Sequence, residues 1–259
     1  MKAGFTMKAL SLAVLGLAGL GFGANAMAAC PTDPAAPNGP WSSKNVAADA
    51  SLTIVGGAAG QGLNNTACKM SVSINSGALA NTRAYVIDDT PADEPHYRAR
   101  FYMDISGFTG FSLGTYQTRI FNVSSASSPA GISTAEVTAA LVGGATPALR
   151  FVVADSGQAS SFRIVNVPLP AVASGVYRVE IDLTQGSAGA FRYWVTDGSV
   201  ATSDGSPTGS VTVNNSGWSG ATSVNFGLFG TSAGFRANMS GKVLSLDEFD
   251  SRRSTFIGQ

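Results

Sequence analysis

The chain has 259 residues, of which 16 are basic and 16 acidic, so its formal net charge is zero. Charged residues make up only 12% of the sequence, and they form no basic tract. This balance excludes the electrostatic signature of a nucleic-acid-binding protein and of a protein that basic residues hold on an anionic membrane.

The first 29 residues have the pattern of a cleaved secretory signal peptide. Lys2 and Lys8 precede a short apolar run, and small residues follow up to Ala29. A basic start, a short apolar segment and an Ala-x-Ala-like end define such a peptide. We therefore expect an extracytoplasmic protein, located in the periplasm, on the cell surface or in the medium. No later segment is apolar for long enough to predict a transmembrane helix.

Cys30 and Cys68 are the two cysteines of the chain. Two cysteines in an exported protein most often pair, which predicts a Cys30–Cys68 disulfide. The alternative is a lipoprotein, in which Cys30 is acylated, because it directly follows the small residues of the signal peptide. Residues 30–48 contain four prolines and predict an irregular N-terminal arm.

Residues 49–259 predict a single β-sandwich domain. Apolar and polar side chains alternate in residues 97–105, 177–183 and 191–195, which predicts strands with one buried and one solvated face. A hairpin loop, residues 184–189, joins the last two. Further strand candidates are 70–74, 84–87, 116–123, 149–154, 162–167, 211–213, 223–229 and 242–249. Only residues 134–142 favour a short helix. The fold prediction is an all-β, two-sheet antiparallel jelly-roll sandwich with little helix.

Three segments carry a family resemblance. Residues 176–184, a turn and then residues 191–198, which end in Asp197-Gly198, resemble the laminin-G-like, concanavalin A-like lectin and glucanase sandwich. Residues 97–104 and 246–258 are similar to segments of secreted bacterial proteins of this fold. The resemblance implies carbohydrate binding, adhesion or glycan hydrolysis, and the fold alone does not choose among them.

Glu180, Asp182 and Gln185 resemble the Glu-x-Asp-x-x-Glu strand of family-sixteen glycoside hydrolases. Retaining hydrolysis needs two carboxyl groups, one as nucleophile and one as acid and base. Gln185 stands where the second glutamate is needed, and an amide cannot donate a proton as a carboxylic acid does. We therefore expect Glu180 and Asp182 to lie on the solvated face of a strand beside arginines. His96, the single histidine, is expected to begin a strand rather than to act in catalysis.

A cluster of acidic residues before the first clear strand suggests a Ca²⁺ site, because calcium takes six to eight oxygen ligands. Laminin-G-like domains often hold one calcium ion, so the resemblance also implies it. The predicted ligands are Asp88, Asp89, Asp93 and Glu94. An ordinary proline-rich turn is the alternative, and Asp247, Glu248 and Asp250 form a second acidic group. No other cofactor is predicted.

Aromatic residues at polar positions suggest sugar binding, because a sugar ring stacks on an aromatic face while amides and guanidinium groups bond its hydroxyls. The predicted ligand-binding residues are Trp218, Asn214, Asn215, Trp194, Arg192 and Tyr102. The alternative for Trp218 is that it plugs the open end of the sandwich.

The function predicted from the sequence is an exported, non-catalytic carbohydrate-binding or adhesive module whose partner is a glycan or a cell-surface or matrix component. One alternative is a structural surface protein that mediates protein–protein assembly. The other is a divergent glycan hydrolase. The sequence assigns no oligomeric state.

Overall fold

A computed structural model describes residues 30–35, 39–75, 79–108, 117–239 and 241–258. The predicted signal peptide lies outside these residues. The described chain forms fourteen strands and one short helix. They are β1 (Ser43–Val46), β2 (Ala50–Gly56), β3 (Cys68–Ile74), β4 (Ala84–Asp88), β5 (His96–Asp104), β6 (Gln117–Ser125), β7 (Ala135–Val142), β8 (Ala148–Ala154), β9 (Phe162–Pro168), β10 (Tyr177–Thr184), β11 (Gly189–Asp197), β12 (Gly209–Val213), β13 (Ala221–Phe229), α1 (Ala233–Met239) and β14 (Val243–Arg252).

Two seven-stranded antiparallel sheets contain these strands. The front sheet has the order β12-β11-β10-β5-β14-β3-β2, and the back sheet has the order β1-β4-β13-β6-β7-β8-β9. Many neighbours in a sheet are distant in sequence, as expected when a chain crosses repeatedly between two sheets. The predicted all-β jelly-roll sandwich is confirmed.

The inner faces of the two sheets form one hydrophobic core. Phe101 of the front sheet stacks on Phe121 of the back sheet, with ring centroids 5.6 Å apart. Phe151 and Phe191 make a second contact between the sheets at 5.2 Å. Such aromatic pairs contribute beyond the apolar area that they bury. The inward-facing halves of the alternating strands are therefore placed as predicted.

The N-terminal arm closes one side of the sandwich. A disulfide joins Cys30 to Cys68, as predicted, and thereby ties the arm to the first residue of β3. Trp41 packs against Phe226 of the back sheet and Phe249 of the front sheet, at centroid distances of 5.8 and 4.9 Å. Part of the segment predicted to be irregular is ordered, because β1 pairs with β4 at the edge of the back sheet.

The predicted helix at residues 134–142 is wrong, since this segment is β7, a strand between β6 and β8. Residues 136–141 are buried whichever face they occupy. A strand that is buried on both faces need not keep a regular polar–apolar alternation, and here the alternation of Glu136 and Thr138 with Val137 ends at Ala139 and Ala140. Its alanines, which favour helix in isolation, then give the misleading signal.

Candidate functional site

The outer face of the front sheet, called the front face below, carries rows of charged and aromatic side chains. Register places residues from β11, β10 and β5 side by side, because opposite residues of paired strands share a face. The rows are Thr196–Arg178–Tyr102, Trp194–Glu180–Arg100 and Arg192–Asp182–Arg98.

The front face is buried, so the prediction that these side chains are solvated is wrong. The exposed fractions are 0% for Arg178, Glu180 and Trp194 and 1% for Arg98. Two segments cover the face: the loop of residues 198–208 between β11 and β12, called the closing loop, and residues 253–258 after β14, called the tail. Buried charges are stable only when they are paired or hydrogen-bonded, so their partners define the site.

Asp182 is the centre of the ion-pair network. Its carboxylate accepts hydrogen bonds from Arg98 Nη2 at 2.9 Å and Arg192 Nε at 2.8 Å, and it shares a bond of 2.6 Å with His96 Nε2. From the closing loop, Asp204 accepts a second bond from Arg98 Nη2 at 2.6 Å, which lowers the pKa of Asp204. Burial opposes the charge on Arg98, but the bonds to Asp204 and Asp182 outweigh burial and raise the pKa of the guanidinium. His96 begins β5, as expected, and its ring also completes the network.

Glu180 holds the tail through backbone groups. Its two oxygens accept one hydrogen bond each from the N–H groups of Ile257, at 3.0 Å, and Gly258, at 3.1 Å. Arg100 Nη1 donates to the Gly258 carbonyl at 3.1 Å. Burial raises the pKa of Glu180, although both backbone donors act in the opposite direction.

Trp194 forms an aromatic platform that the tail covers. The Phe256 ring packs on it at a centroid distance of 5.4 Å, and Trp194 Nε1 donates to the Ser203 carbonyl of the closing loop at 3.0 Å. The Arg98 guanidinium lies 5.7 Å from the centre of the Trp194 ring and 5.6 Å from that of Phe256. Cation–π attraction therefore links the aromatic platform to the ion-pair network.

Arg178 is a buried cation with unmet hydrogen-bonding capacity. Its Nη2 donates to Thr196 Oγ1 at 3.2 Å, whereas its Nε and Nη1 and the Tyr102 hydroxyl have no acceptor among the described residues. No carboxylate in the described part of the chain forms a salt bridge with it. Beside this row, a cavity of about 270 Å³ lies between the loop around Leu63 and the turn at Gly198. The charge of Glu180, on the same strand, acts on Arg178 without a salt bridge between them, so Arg178 keeps free hydrogen-bond donors.

The structure divides the predicted sugar-binding residues into two groups. Arg192, Trp194 and Tyr102 lie together on the front face, although the two aromatic side chains are buried there. Trp218, Asn214 and Asn215 lie elsewhere, in the loop before β13.

The expectation of an exposed aromatic platform at Trp218 is wrong. This residue is only 3% exposed, its Nε1 donates to the Ser133 carbonyl at 3.1 Å, and its ring packs edge-on against Phe162. The buried Asn215 accepts a hydrogen bond from Gly186 N, and Asn214 bonds Ser216 in its own turn. The loop closes one end of the sandwich, as the alternative interpretation of Trp218 stated.

The acidic residues predicted to bind calcium do not converge in the structure. Asp88 accepts from the backbone and hydroxyl of Thr90, and Glu94 forms a salt bridge of 2.8 Å with Arg253, whereas Asp89 and Asp93 are exposed. Within the described ranges, no group of three or more His, Cys, Asp or Glu side chains is close enough to hold a metal ion. Calcium binding stays a prediction.

The second acidic group is engaged in local contacts. Asp247 accepts from Leu63 N at 2.7 Å, and Asp250 pairs with Arg252 at 2.9 Å. Glu248 lies 3.8 Å from the Arg100 guanidinium, at the edge of the front face.

The three residues that resemble the glucanase strand, Glu180, Asp182 and Gln185, are not arranged for hydrolysis. Glu180 and Asp182 share the front face, but the tail amides occupy the first and three cationic or imidazole side chains surround the second. Gln185 lies beyond the end of β10 and donates to the Trp218 carbonyl.

Sequence patterns missed Asp204 and Phe256 as parts of the site, because both come from irregular segments that no local pattern ties to the front face.

Among the described residues, no helix is long and apolar enough to cross a membrane.

Comparison with solved structures places the fold among known β-sandwich proteins. An endo-β-1,4-glucuronan lyase from the fungus Trichoderma reesei superposes with a TM-score of 0.59 at 14% identity, over 84% of this chain and 92% of that one. The cellulose-induced protein Cip1 gives 0.50 at 14% identity, over 83% and 91% of the two chains. The alginate lyase Aly36B gives 0.51 at 11% identity, over 73% and 82%. No family model and no curated protein sequence matches the chain. At these identities the similarity shows the fold alone.

Proposed function

We propose that the protein is an exported, non-catalytic module that binds a polysaccharide containing uronic acids, and that the front face is its binding site. The observation that carries this proposal is the concentration of four arginines on one sheet face, two of them beside the Trp194 ring, with Arg178 in no salt bridge among the described residues. Arginine binds carboxylates through a planar fork of donors, which suits the acid group of a uronate.

The other front-face residues suit the neutral parts of a sugar. Glu180, whose two oxygens accept from the backbone amides of the tail, is an acceptor of the kind that suits sugar hydroxyls, and Trp194 has a flat apolar ring of the kind on which a pyranose ring stacks. Acceptors, donors and an aromatic surface thus occur within three neighbouring strands.

Two structural neighbours support a polysaccharide of uronic acids as the ligand. They are named as lyases of glucuronan and alginate, both of which are built from uronic acids. Fold similarity carries no activity by itself, so the front-face chemistry remains the main argument.

The site favours binding over hydrolysis. A retaining or inverting hydrolase needs two carboxyl groups that reach the glycosidic bond. Both front-face acids are instead held by arginines or backbone amides, and Gln185 replaces the third acid. The Cys30–Cys68 disulfide supports export, because disulfides persist in oxidising compartments outside the cytoplasm.

Isothermal titration of the full chain with alginate, polygalacturonate and neutral cello-oligosaccharides tests the proposal. We expect the two polyuronates to bind and the neutral sugars to bind at least tenfold more weakly. Arg100→Gln should weaken polyuronate binding, while Arg150→Gln, a matched change on the outer face of the back sheet, should not.

Equal binding by the wild type and Arg100→Gln would contradict the site, and no binding to either polyuronate would contradict the function. A separate assay for enzymatic activity incubates the protein with each polymer and measures ultraviolet absorbance and the release of reducing sugar. A rise in absorbance from unsaturated uronate ends would show a lyase, and release of reducing sugar would show a hydrolase.

A further inference from the structure

The tail occupies the centre of the proposed site. Ile257 is 9% exposed, and with Gly258 it lies over Glu180 and Arg100, while Phe256 covers Trp194. No ligand reaches these groups while the tail is in place. Binding at the front face therefore requires the tail to move, and this step rests on the proposed function.

The tail contacts resemble those that a sugar would make. Two successive N–H groups donate to the two oxygens of Glu180, as two adjacent hydroxyls of a pyranose would. The Gly258 carbonyl accepts from Arg100, as a uronate oxygen would. The Phe256 ring occupies the place on Trp194 where a sugar face would stack. Each tail contact has a counterpart in a uronate residue with a vicinal diol.

Away from the front face, the tail is held by the exposed Arg253, which forms a salt bridge of 2.8 Å with Glu94, and by the Phe256 carbonyl, which accepts from Arg252 Nη1 at 3.4 Å. The residues that connect it to β14, 253–255, are exposed, and Phe256 is only partly buried. Gly258 has a φ of +69°, a conformation that side-chain-bearing residues disfavour. A Cβ atom at this position would also lie 3.1 Å from the Phe256 ring. The closed position of the tail thus depends on glycine.

We infer that residues 256–258 act as a built-in substitute ligand, which covers the front face in the unbound protein and is displaced by a uronate unit bearing a vicinal diol. The sugar then binds in place of the tail, on Glu180, Arg100 and Trp194. Because the closed form must open first, the apparent affinity is reduced by the fraction of molecules in which the tail is closed.

Gly258→Ala in the full chain tests this exchange without removing any front-face side chain. The added methyl group disfavours the closed tail, so alginate and polygalacturonate should bind about fivefold more tightly than to the wild type. Gly241→Ala is the matched control, because Gly241 has a φ of +74° in a turn far from the tail, where a Cβ meets open space. Its affinity should equal that of the wild type.

Hydrogen–deuterium exchange gives a second readout. On addition of saturating polyuronate, peptides that contain Ile257 and Gly258 should exchange faster, since their N–H groups lose Glu180, while peptides from β10 and β11 should be unchanged or slower. Polyuronate binding with unchanged tail exchange and no gain in Gly258→Ala would overturn the inference and leave the proposed function intact. No binding by the wild type or by Gly258→Ala would overturn both.

Discussion

The outer faces of the two sheets differ in what covers them. On β8 and β9 of the back sheet, polar side chains meet water directly: Arg150 Nε donates to Asn166 Oδ1 at 2.9 Å in an exposed pair, and Ile164 beside it is 59% exposed. On the front sheet, Asp182 and Arg98 form an equally polar row that is almost fully buried. The same alternation of side chains thus produces solvated rows on the β8–β9 side of one sheet and a buried ionic face on the other.

This difference shows what strand alternation does and does not encode. A period of two fixes which residues share a face, because successive side chains point to opposite sides of a strand. Whether that face meets water depends on segments from elsewhere in the chain, here the closing loop with Asp204 and the tail with Phe256. Covering a charged row is stable only if its charges are paired or hydrogen-bonded.

The largest expected effect comes from breaking the buried network at its centre. Asp182→Asn removes the carboxylate that Arg98, Arg192 and His96 share, and leaves the buried Arg98 with Asp204 as its close acidic partner. We expect the free energy of unfolding to fall by about 3–5 kcal/mol, because breaking a buried ion pair strands a charge away from water. Urea denaturation followed by tryptophan fluorescence measures this loss.

Arg150→Gln is the control on the back sheet. It removes an exposed partner of Asn166, so its stability should change by less than about 0.5 kcal/mol. Similar losses in the two variants would mean that the front-face charges are as well hydrated as those of the back face.

The sequence was sufficient for the strands whose faces differ in polarity. β5, β10 and β11 were predicted within two residues at each end because arginines and acids alternate with apolar side chains along them. β7 was not, because Glu136 and Thr138 alternate with Val137 over only a few residues before Ala139 and Ala140, buried on opposite faces, end the pattern.

The candidate site was predicted only in part. The spacing alone placed Trp194 with Arg192 on one strand face and Tyr102 with Arg98 and Arg100 on another, and the register of the structure brings the two groups onto the same face. The burial of Trp194 depends on Phe256, and that of Arg98 on Asp204, to which its hydrogen bond spans 106 residues. No local pattern marks such a contact, because the partner lies in an irregular segment. The same limit applies to Trp218, whose polar neighbours suggested exposure although Ser133 and Phe162 enclose it.

The two sheets also differ in how they hold a buried glutamate. Glu180 of the front sheet accepts two backbone N–H groups, whereas Glu136 of β7 in the back sheet is 1% exposed and its Oε1 has no partner within the described ranges. Burial, together with the nearby Asp93, raises the pKa of Glu136 to about 8. Between its unfolded pKa and pH 8 the folded state therefore holds more protons, and stability must fall as the pH rises.

Glu136→Gln should remove this pH dependence. The variant and the wild type should be similarly stable near pH 5, where Glu136 is protonated in the folded protein. Near pH 9 the variant should be more stable by on the order of 3 kcal/mol, because no unpaired charge is buried. Glu180→Gln should lose stability at both pH values, because the amide nitrogen would face a backbone donor. Parallel pH profiles for the wild type and Glu136→Gln would contradict the assignment.

The smallest effect separates the two buried tryptophans. Trp194 on the front face and Trp218 beside the back sheet each donate one indole hydrogen bond to a backbone carbonyl, at 3.0 and 3.1 Å. Replacing either with phenylalanine leaves that carbonyl without its donor and should cost about 1–2 kcal/mol of folding free energy. If the front face is the glycan site, only Trp194→Phe should also weaken polyuronate binding, because Trp218 packs against Ser133 and Phe162 instead. Titration of both variants at a temperature where each is fully folded isolates binding from stability. Equal losses of affinity would show that Trp218 contributes to the site, and the functional difference between the two ends of the molecule would then disappear.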